Sequence, residues 1–261
     1  MPANASTPEM PTFRERLRAG EMLVGCFLNT GSPVAAEICG LAGYDWLLID
    51  LEHGSATEAD VLPQLQAISG TGTPTLVRVE ANVRARFTKA LDFGAEGVMV
   101  PGIDGAEDAR RAVSHLRYAP EGVRGVAMLN RAAGYGARGR ETVETFNERA
   151  VGVVQIERVD AVEEVDAIAA LDGVDCLFVG PADLTHDLGI LLQTDHPSYR
   201  EAVEAVRRAA ARHGKATGVL VRNGEEFRAY RELGFTLIAF GSDTGFLVAG
   251  ARASLEAAGR A

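Results

Sequence analysis

From Leu23 onward the chain repeats one pattern: a short run of apolar, β-branched-rich residues, then a longer stretch whose apolar positions recur every three or four residues. Eight such apolar runs can be marked, at 23–29, 46–52, 74–79, 97–102, 151–157, 176–180, 217–221 and 237–241. Helical stretches fill the spaces between them, among them AVEEVDAIAAL (161–171) and YREAVEAVRRAAARHG (199–214), the second stopping at a glycine as helices often do. Runs that are apolar almost throughout suit strands buried on both faces of a parallel sheet. Their recurrence about every 25 residues predicts βα units. Eight such units predict an α/β fold, a modified (βα)8 TIM barrel, as one domain over 13–261 preceded by a disordered segment, 1–12. A doubly wound open sheet is the alternative, but no G-x-G-x-x-G follows the first run and no G-x-x-x-x-G-K-[ST] occurs.

Two connections exceed the period. One runs from about 119 to 150 and is rich in Gly and Arg; the other follows the sixth run as LTHDLGILLQTDHPS. Long excursions in a compact domain are usually functional or interfacial. The composition narrows the class of partner. The hydrophobic share of 47% and mean hydropathy of +0.02 are those of an ordinary globular protein. A formal charge of −10, with no Lys/Arg run, excludes nucleic acid and anionic lipid and leaves small molecules. No apolar run approaches the roughly 18 residues of a membrane span, and the N-terminus lacks a basic-then-apolar layout, so the expected location is the cytoplasm. The three cysteines, Cys26, Cys39 and Cys176, sit in apolar surroundings and read as small buried hydrophobes.

In a barrel of this kind chemistry collects where strands end. The C-terminal ends of the predicted strands carry Asn29; Asp50, Glu52 and His53; Arg78; Pro101; Gln155 and Glu157; Asp183; and Ser242 with Asp243, whereas the strand starts are mostly Val, Leu, Gly and Thr. Glu157 and Asp183 close consecutive strands, about 4.8 Å apart in a parallel sheet, so their carboxylates can converge on a hard divalent cation such as Mg²⁺ or Mn²⁺. The competing reading has Asp183 capping the next helix and Glu157 paired with an arginine. His53, before Gly54, is a candidate acid/base that Asp92 can orient, and Arg78 offers a planar cation for a carboxylate or developing enolate unless it is a structural ion pair. FGSD (240–243) reads either as a phosphate-holding turn or as a plain strand-to-helix turn. Only Lys89 and Lys215 are lysines, neither at a strand end, which argues against a Schiff base.

The segments LLIDLEHG, LVRV, ALDFGAEGVMVP, RYAPEGVRGV, VVQIE, FVGPADL and FGSDTGFL, in that order, resemble the class II pyruvate aldolases of the HpcH/HpaI type, the 4-hydroxy-2-oxoheptanedioate and 2-dehydro-3-deoxy-sugar-acid aldolase family. The resemblance runs from about Phe13 to about residue 256. It implies a hexamer of paired trimers, or a trimer, with the last helix packed on a neighbouring subunit. It implies a divalent cation, Mg²⁺, Mn²⁺ or Co²⁺, held by Glu157 and Asp183, with Gly180, Pro181 and Ala182 cradling the pyruvate carboxylate. Arg78, with Gln155 nearby, would stabilise the enolate; His53 and Asp92 would form the acid/base dyad; Asp50 and Glu52 would support the metal site. The implied reaction is cleavage or formation of 4-hydroxy-2-oxo acids, giving pyruvate, or a close analogue such as hydroxypyruvate, and an aldehyde. A citramalyl- or malyl-CoA-type lyase and a non-catalytic barrel that binds 2-oxo acids are the alternatives. Leu51 stands where well-known members carry a small residue, and AMLNRAAGYGARGR (127–140) departs from the sugar-acid and dicarboxylate aldolases where a second subunit helps shape the acceptor pocket.

Overall fold

Each of the eight apolar runs is a strand, and the strands close on themselves in chain order as a parallel barrel. The computed structural model describes residues 10–260. Most of the segment expected to be disordered, 1–9, lies outside the described residues, whereas Thr12 caps the first helix through a reciprocal pair of bonds with Glu15. The elements are α1 (Phe13–Arg18), β1 (Leu23–Leu28), α2 (Pro33–Leu41), β2 (Trp46–Asp50), α3 (Glu58–Ile68), β3 (Thr75–Arg78), α4 (Arg84–Asp92), β4 (Gly97–Val100), α5 (Ala106–Leu116), α6 (Glu141–Arg149), β5 (Val151–Ile156), α7 (Val159–Glu163), α8 (Val165–Ala169), β6 (Cys176–Val179), α9 (Pro181–Asp187), α10 (Pro197–His213), β7 (Ala216–Val221), α11 (Gly224–Glu232), β8 (Leu237–Ser242) and α12 (Asp243–Ala257).

The strands are apolar on both faces because each face belongs to a different core. Leu23, Phe27, Trp46, Leu48, Leu76, Met99, Val151, Val153, Phe178 and Leu237 fill the barrel interior. Their neighbours in sequence, such as Leu28, Leu47, Ile49, Val77, Val98, Val154, Leu177 and Ile238, pack outward under the helices. The interior is tight: a Cβ on Gly25 would stand 2.1 Å from the Trp46 ring. From below, α1 plugs it with Phe13 and Leu17, and Arg14 ties the plug to Asp175 at 2.9 Å.

The helix expected at 161–171 is two short ones, broken at Glu164 (φ −96°, ψ 9°), whose carboxylate accepts from the Ala106 N–H at 2.7 Å. The helix expected at 199–214 is α10, ended by Gly214 in the left-handed region (φ 62°). The excursion after α5 lies at the N-terminal end of the barrel, where Arg131 donates to the carbonyls of Phe93 and Leu65. It therefore frames a cavity of about 660 Å³ at the end remote from the chain's own polar mouth. Along α2, Val34, Ile38 and Leu41 are exposed, and along α12 Phe246, Leu247 and Leu255 are too. No helix among the described residues is long and apolar enough to cross a membrane.

Candidate active site

Inward-pointing positions alternate along every strand, and the polar cluster is the topmost inward layer. On β2 the sequence Trp46, Leu48, Asp50 climbs the interior; on β3 Leu76 leads to Arg78; on β5 Val151 and Val153 lead to Gln155 and then Glu157. Strand register pairs Asp50 with Arg78, and Arg78 Nη1 reaches Gln155 Oε1 across the mouth at 3.4 Å. Beneath them lies an aromatic floor in which Phe27 packs edge-on to Trp46 (6.5 Å) and against Phe178 (6.1 Å).

Arg78 is almost fully buried, and Asp50 holds it bidentately, with Nε to Oδ1 and Nη2 to Oδ2 both at 2.8 Å. The guanidinium also lies over the Phe27 ring, 5.2 Å from its centroid. The structural ion pair and the substrate cation are therefore one residue: the pair uses one edge, while Nη1 faces Gln155 Oε1 (3.4 Å) and Glu52 Oε2 (3.0 Å). Asp50 is wholly buried and accepts further bonds from the N–H groups of Glu52 (3.1 Å) and His53 (3.3 Å), which fixes the turn carrying His53. The His53 ring is exposed and sits 3.7 Å from Glu52 Oε2.

Glu157 accepts the Gly102 N–H at 2.7 Å and the Gln155 amide, and among the described residues it pairs with no arginine. Burial pushes its carboxyl above the usual range, and repulsion from Glu52 and Asp183 pushes it further, against the Gly102 bond and the charge of Arg78. Glu52 is raised in the same way, first by burial and then by Asp50 and Asp183, with Arg78 and His53 opposing. Asp183 is the third residue of α9; the cap is Gly180, so Asp183 is not the capping residue. A Cβ on Gly180 would meet Glu157 Oε2 at 2.7 Å, so the glycine is what lets the β6–α9 turn close over that carboxylate. Among the described residues no three His, Cys, Asp or Glu side chains form a metal-holding group.

Asp92 stands apart from this cluster. It is the last residue of α4, which descends toward the strand starts, and its Oδ1 accepts from Arg124 Nη2 at 2.8 Å. Arg124 is buried against the rings of Tyr118 (4.5 Å) and Phe146 (3.9 Å). Within one chain Asp92 does not reach His53. Around FGSD, the plain turn is what forms: Ser242 caps α12 by accepting from Gly245 N–H (3.2 Å), and the buried Asp243 accepts the N–H groups of Asn29 (2.8 Å) and Thr30 (3.2 Å).

A family model for HpcH/HpaI aldolase/citrate lyase matches residues 23–249. The chain belongs to the HpcH/HpaI aldolase/citrate lyase family. As a family member it is a carbon–carbon lyase of the aldolase kind. It is 38% identical over 241 residues, 92% of this chain and 93% of the relative, to a 5-keto-4-deoxy-D-glucarate aldolase of Shigella boydii serotype 18. Among solved structures, an HpcH/HpaI aldolase/citrate lyase family protein from Burkholderia cenocepacia is 41% identical with a TM-score of 0.89, covering 94% of this chain and 98% of that one. An HpcH/HpaI aldolase from Desulfitobacterium hafniense is 33% identical with a TM-score of 0.88, covering 95% and 96%.

Two contributors to this HpcH/HpaI site escape a reading by strand ends alone. The Gly102 N–H, an acceptor's partner on the backbone, leaves no side-chain signal. Asn29 was visible as a polar strand end, but only the inward parity 23, 25, 27, 29 tells that it faces Asp50.

Proposed function

We propose that this chain is a divalent-metal-dependent aldolase cleaving a 4-hydroxy-2-oxo acid, of the sugar-acid class named for its Shigella relative, into pyruvate or a close analogue and an aldehyde. The observation that carries the proposal is the meeting, in one layer, of a buried Glu157 with its neighbour Asp183 and a guanidinium already locked in place by Asp50. The donor set fits a cation. Glu157, Glu52, Asp183 and Asp50 crowd around a single fixed positive charge, and burial and mutual repulsion raise the first two. A hard divalent ion on Glu157 and Asp183 relieves that repulsion, and Mg²⁺, Mn²⁺ and Co²⁺ all suit such ligands. Once bound, the ion supplies a Lewis acid that draws electron density from the 2-oxo group.

The chain's own residues divide the remaining work. Arg78 turns Nη1 toward the developing enolate oxygen, and because Asp50 fixes the guanidinium beforehand, little reorganisation is needed during reaction. Gln155 bridges Arg78 and Glu157. Gly180 permits the close turn, Pro181 starts α9, and the first-turn N–H groups beyond it, beginning with Ala182, have no acceptor within the helix and suit the substrate carboxylate. His53 takes the C4-hydroxyl proton in cleavage and returns it in condensation, its ring standing 3.7 Å from Glu52 Oε2. Asp92 can orient His53 only from a second copy of the chain. The exposed apolar faces of α2 and α12 support such a homo-oligomer, a trimer or hexamer. The acidic surface and the tie of Arg222 to Glu226 (2.9 Å) at the mouth give a CoA-linked lyase no comparable support. The proposed location is the cytoplasm.

A pyruvate-release assay on a panel of 4-hydroxy-2-oxo acids tests the reading. Release that stops with chelator and returns with Mg²⁺, Mn²⁺ or Co²⁺ is expected; release indifferent to chelation overturns the metal role, and no release from any member overturns the reaction.

A further inference from the structure

The end of β1 contains a contact that the proposed mechanism leaves unused. Asn29 Nδ2 donates to Asp50 Oδ2 at 2.6 Å. A carboxylate only accepts, so the amide must present its nitrogen there. The backbone of Asn29 is fixed separately: its N–H donates to the buried Asp243 carboxylate at 2.8 Å, and its carbonyl accepts from Ser55 N–H at 2.7 Å, against the turn that follows His53. Gly54 is required at that turn because a Cβ would stand 2.2 Å from the Asp50 carbonyl and 3.1 Å from that of Asn29. The main-chain bonds are open to any residue; among the described residues the side chain of Asn29 has one hydrogen bond of its own, to Asp50.

We propose that Asn29 is a positioning residue for enolate formation, acting through Asp50 on Arg78; the inference rests on the aldolase reading of this site. Asp50 Oδ2 receives both Asn29 Nδ2 and Arg78 Nη2, so the amide holds the carboxylate in the plane that the bidentate pair requires. It also satisfies part of the Asp50 charge with a neutral donor. Arg78 thereby keeps more of its positive field for Nη1, the corner turned to the substrate. Without the amide, Asp50 Oδ2 keeps Arg78 Nη2 as its one donor among the described residues, while Oδ1 stays held by the Glu52 and His53 N–H groups, so more of the carboxylate's charge falls on the guanidinium. Asn29 touches neither metal ligand in this arrangement, so metal affinity is independent of it.

The test is exchange of pyruvate C3 protons with solvent deuterium, followed by NMR in the metal-loaded enzyme at mildly alkaline pH, beside Mn²⁺ affinity by electron paramagnetic resonance. Asn29→Ala removes the donor, and Asn29→Asp keeps the shape while turning a donor into an ionised acceptor facing Asp50. Turnover for exchange is expected to fall about tenfold in Asn29→Ala and further in Asn29→Asp, with KM for pyruvate and Mn²⁺ affinity within about twofold of wild type. A residue that merely fills space gives the opposite order, with Asn29→Asp close to wild type, and that order overturns the inference while leaving the aldolase reading intact. Wild type that fails to exchange pyruvate protons with metal present overturns that reading itself, and the inference with it.

Discussion

Gly180→Ala probes the metal site with a single methyl group. The new Cβ would stand 2.7 Å from Glu157 Oε2, 2.9 Å from Glu157 Cβ and 3.2 Å from Gln155 Nε2, where ordinary contacts begin at 3.4 Å. The backbone at Gly180 (φ −96°, ψ 92°) is open to any L-residue, so the substitution acts by crowding alone. Relief requires the carboxylate to retreat by roughly 0.5–0.7 Å in a packed interior. Its other oxygen is tied to Gly102 N–H at 2.7 Å, so retreat also strains that bond. Overpacking of this kind costs about 1–3 kcal/mol. If Glu157 absorbs it, the loss appears as metal binding weakened roughly 5- to 150-fold, with the melting temperature nearly unchanged. If the surrounding fold absorbs it, the loss appears instead as a melting temperature lower by roughly 2–12 °C. Mn²⁺ titration by electron paramagnetic resonance and a thermal melt separate the two. The crowding must appear in one measurement or the other, so a variant unchanged in both would refute the close approach of residue 180 to Glu157. Gly25→Ala is the contrasting case: its Cβ meets the Trp46 ring at 2.1 Å, so stability should fall and Mn²⁺ affinity should not.

Glu157→Gln and Asp183→Asn should each weaken Mn²⁺ binding and pyruvate release together; a variant with normal affinity and turnover removes that residue from the metal site. The raised carboxyl of Glu157 sets a sign for pH dependence: between its ordinary value of 4.5 and the raised folded value, the native state binds more protons than the unfolded one, so this group makes the metal-free protein less stable as pH rises. Metal-free Glu157→Gln should therefore melt above wild type at neutral pH, by a margin that shrinks as pH falls toward 4.5, and a margin indifferent to pH would contradict the assignment. Mixing His53→Ala with Asp92→Ala subunits should restore activity that neither has alone, because a mixed assembly holds sites with both residues intact; activity retained by Asp92→Ala alone would end its orienting role.

The fold was legible because strand and helix periods differ and each of the eight runs is apolar, whatever core its faces enter. What the pattern hid was that a continuously apolar strand still alternates, inward to one core and outward to another. Once parity is counted, Asp50, Arg78, Gln155 and Glu157 fall in line as the highest inward positions, and Asn29 joins them at 29 after 23, 25 and 27. The break at Glu164 was illegible because nothing in the local pattern marks it; its carboxylate accepts from Ala106 N–H, a residue far away in sequence. The pairing of Asp92 with His53 rests on residue type and on resemblance. Strand order alone does not carry that pairing, because α4 carries its last residue down the outside of the barrel, to Arg124.

Phe13 and Leu17 close the lower end of an interior already filled by side chains, so among the described residues the polar cluster is reached from the upper mouth. Traffic must then be sequential. In the proposed reaction the pyruvate portion, seated against Arg78 and the start of α9 above the aromatic floor, would lie beneath the aldehyde portion and could not leave until the aldehyde had cleared the rim. An ordered release follows, with pyruvate last. In initial-rate studies of cleavage, pyruvate should compete with the substrate, whereas the aldehyde should inhibit noncompetitively. The architecture of the floor, rather than any residue of the mouth, would then set which product governs the reverse reaction.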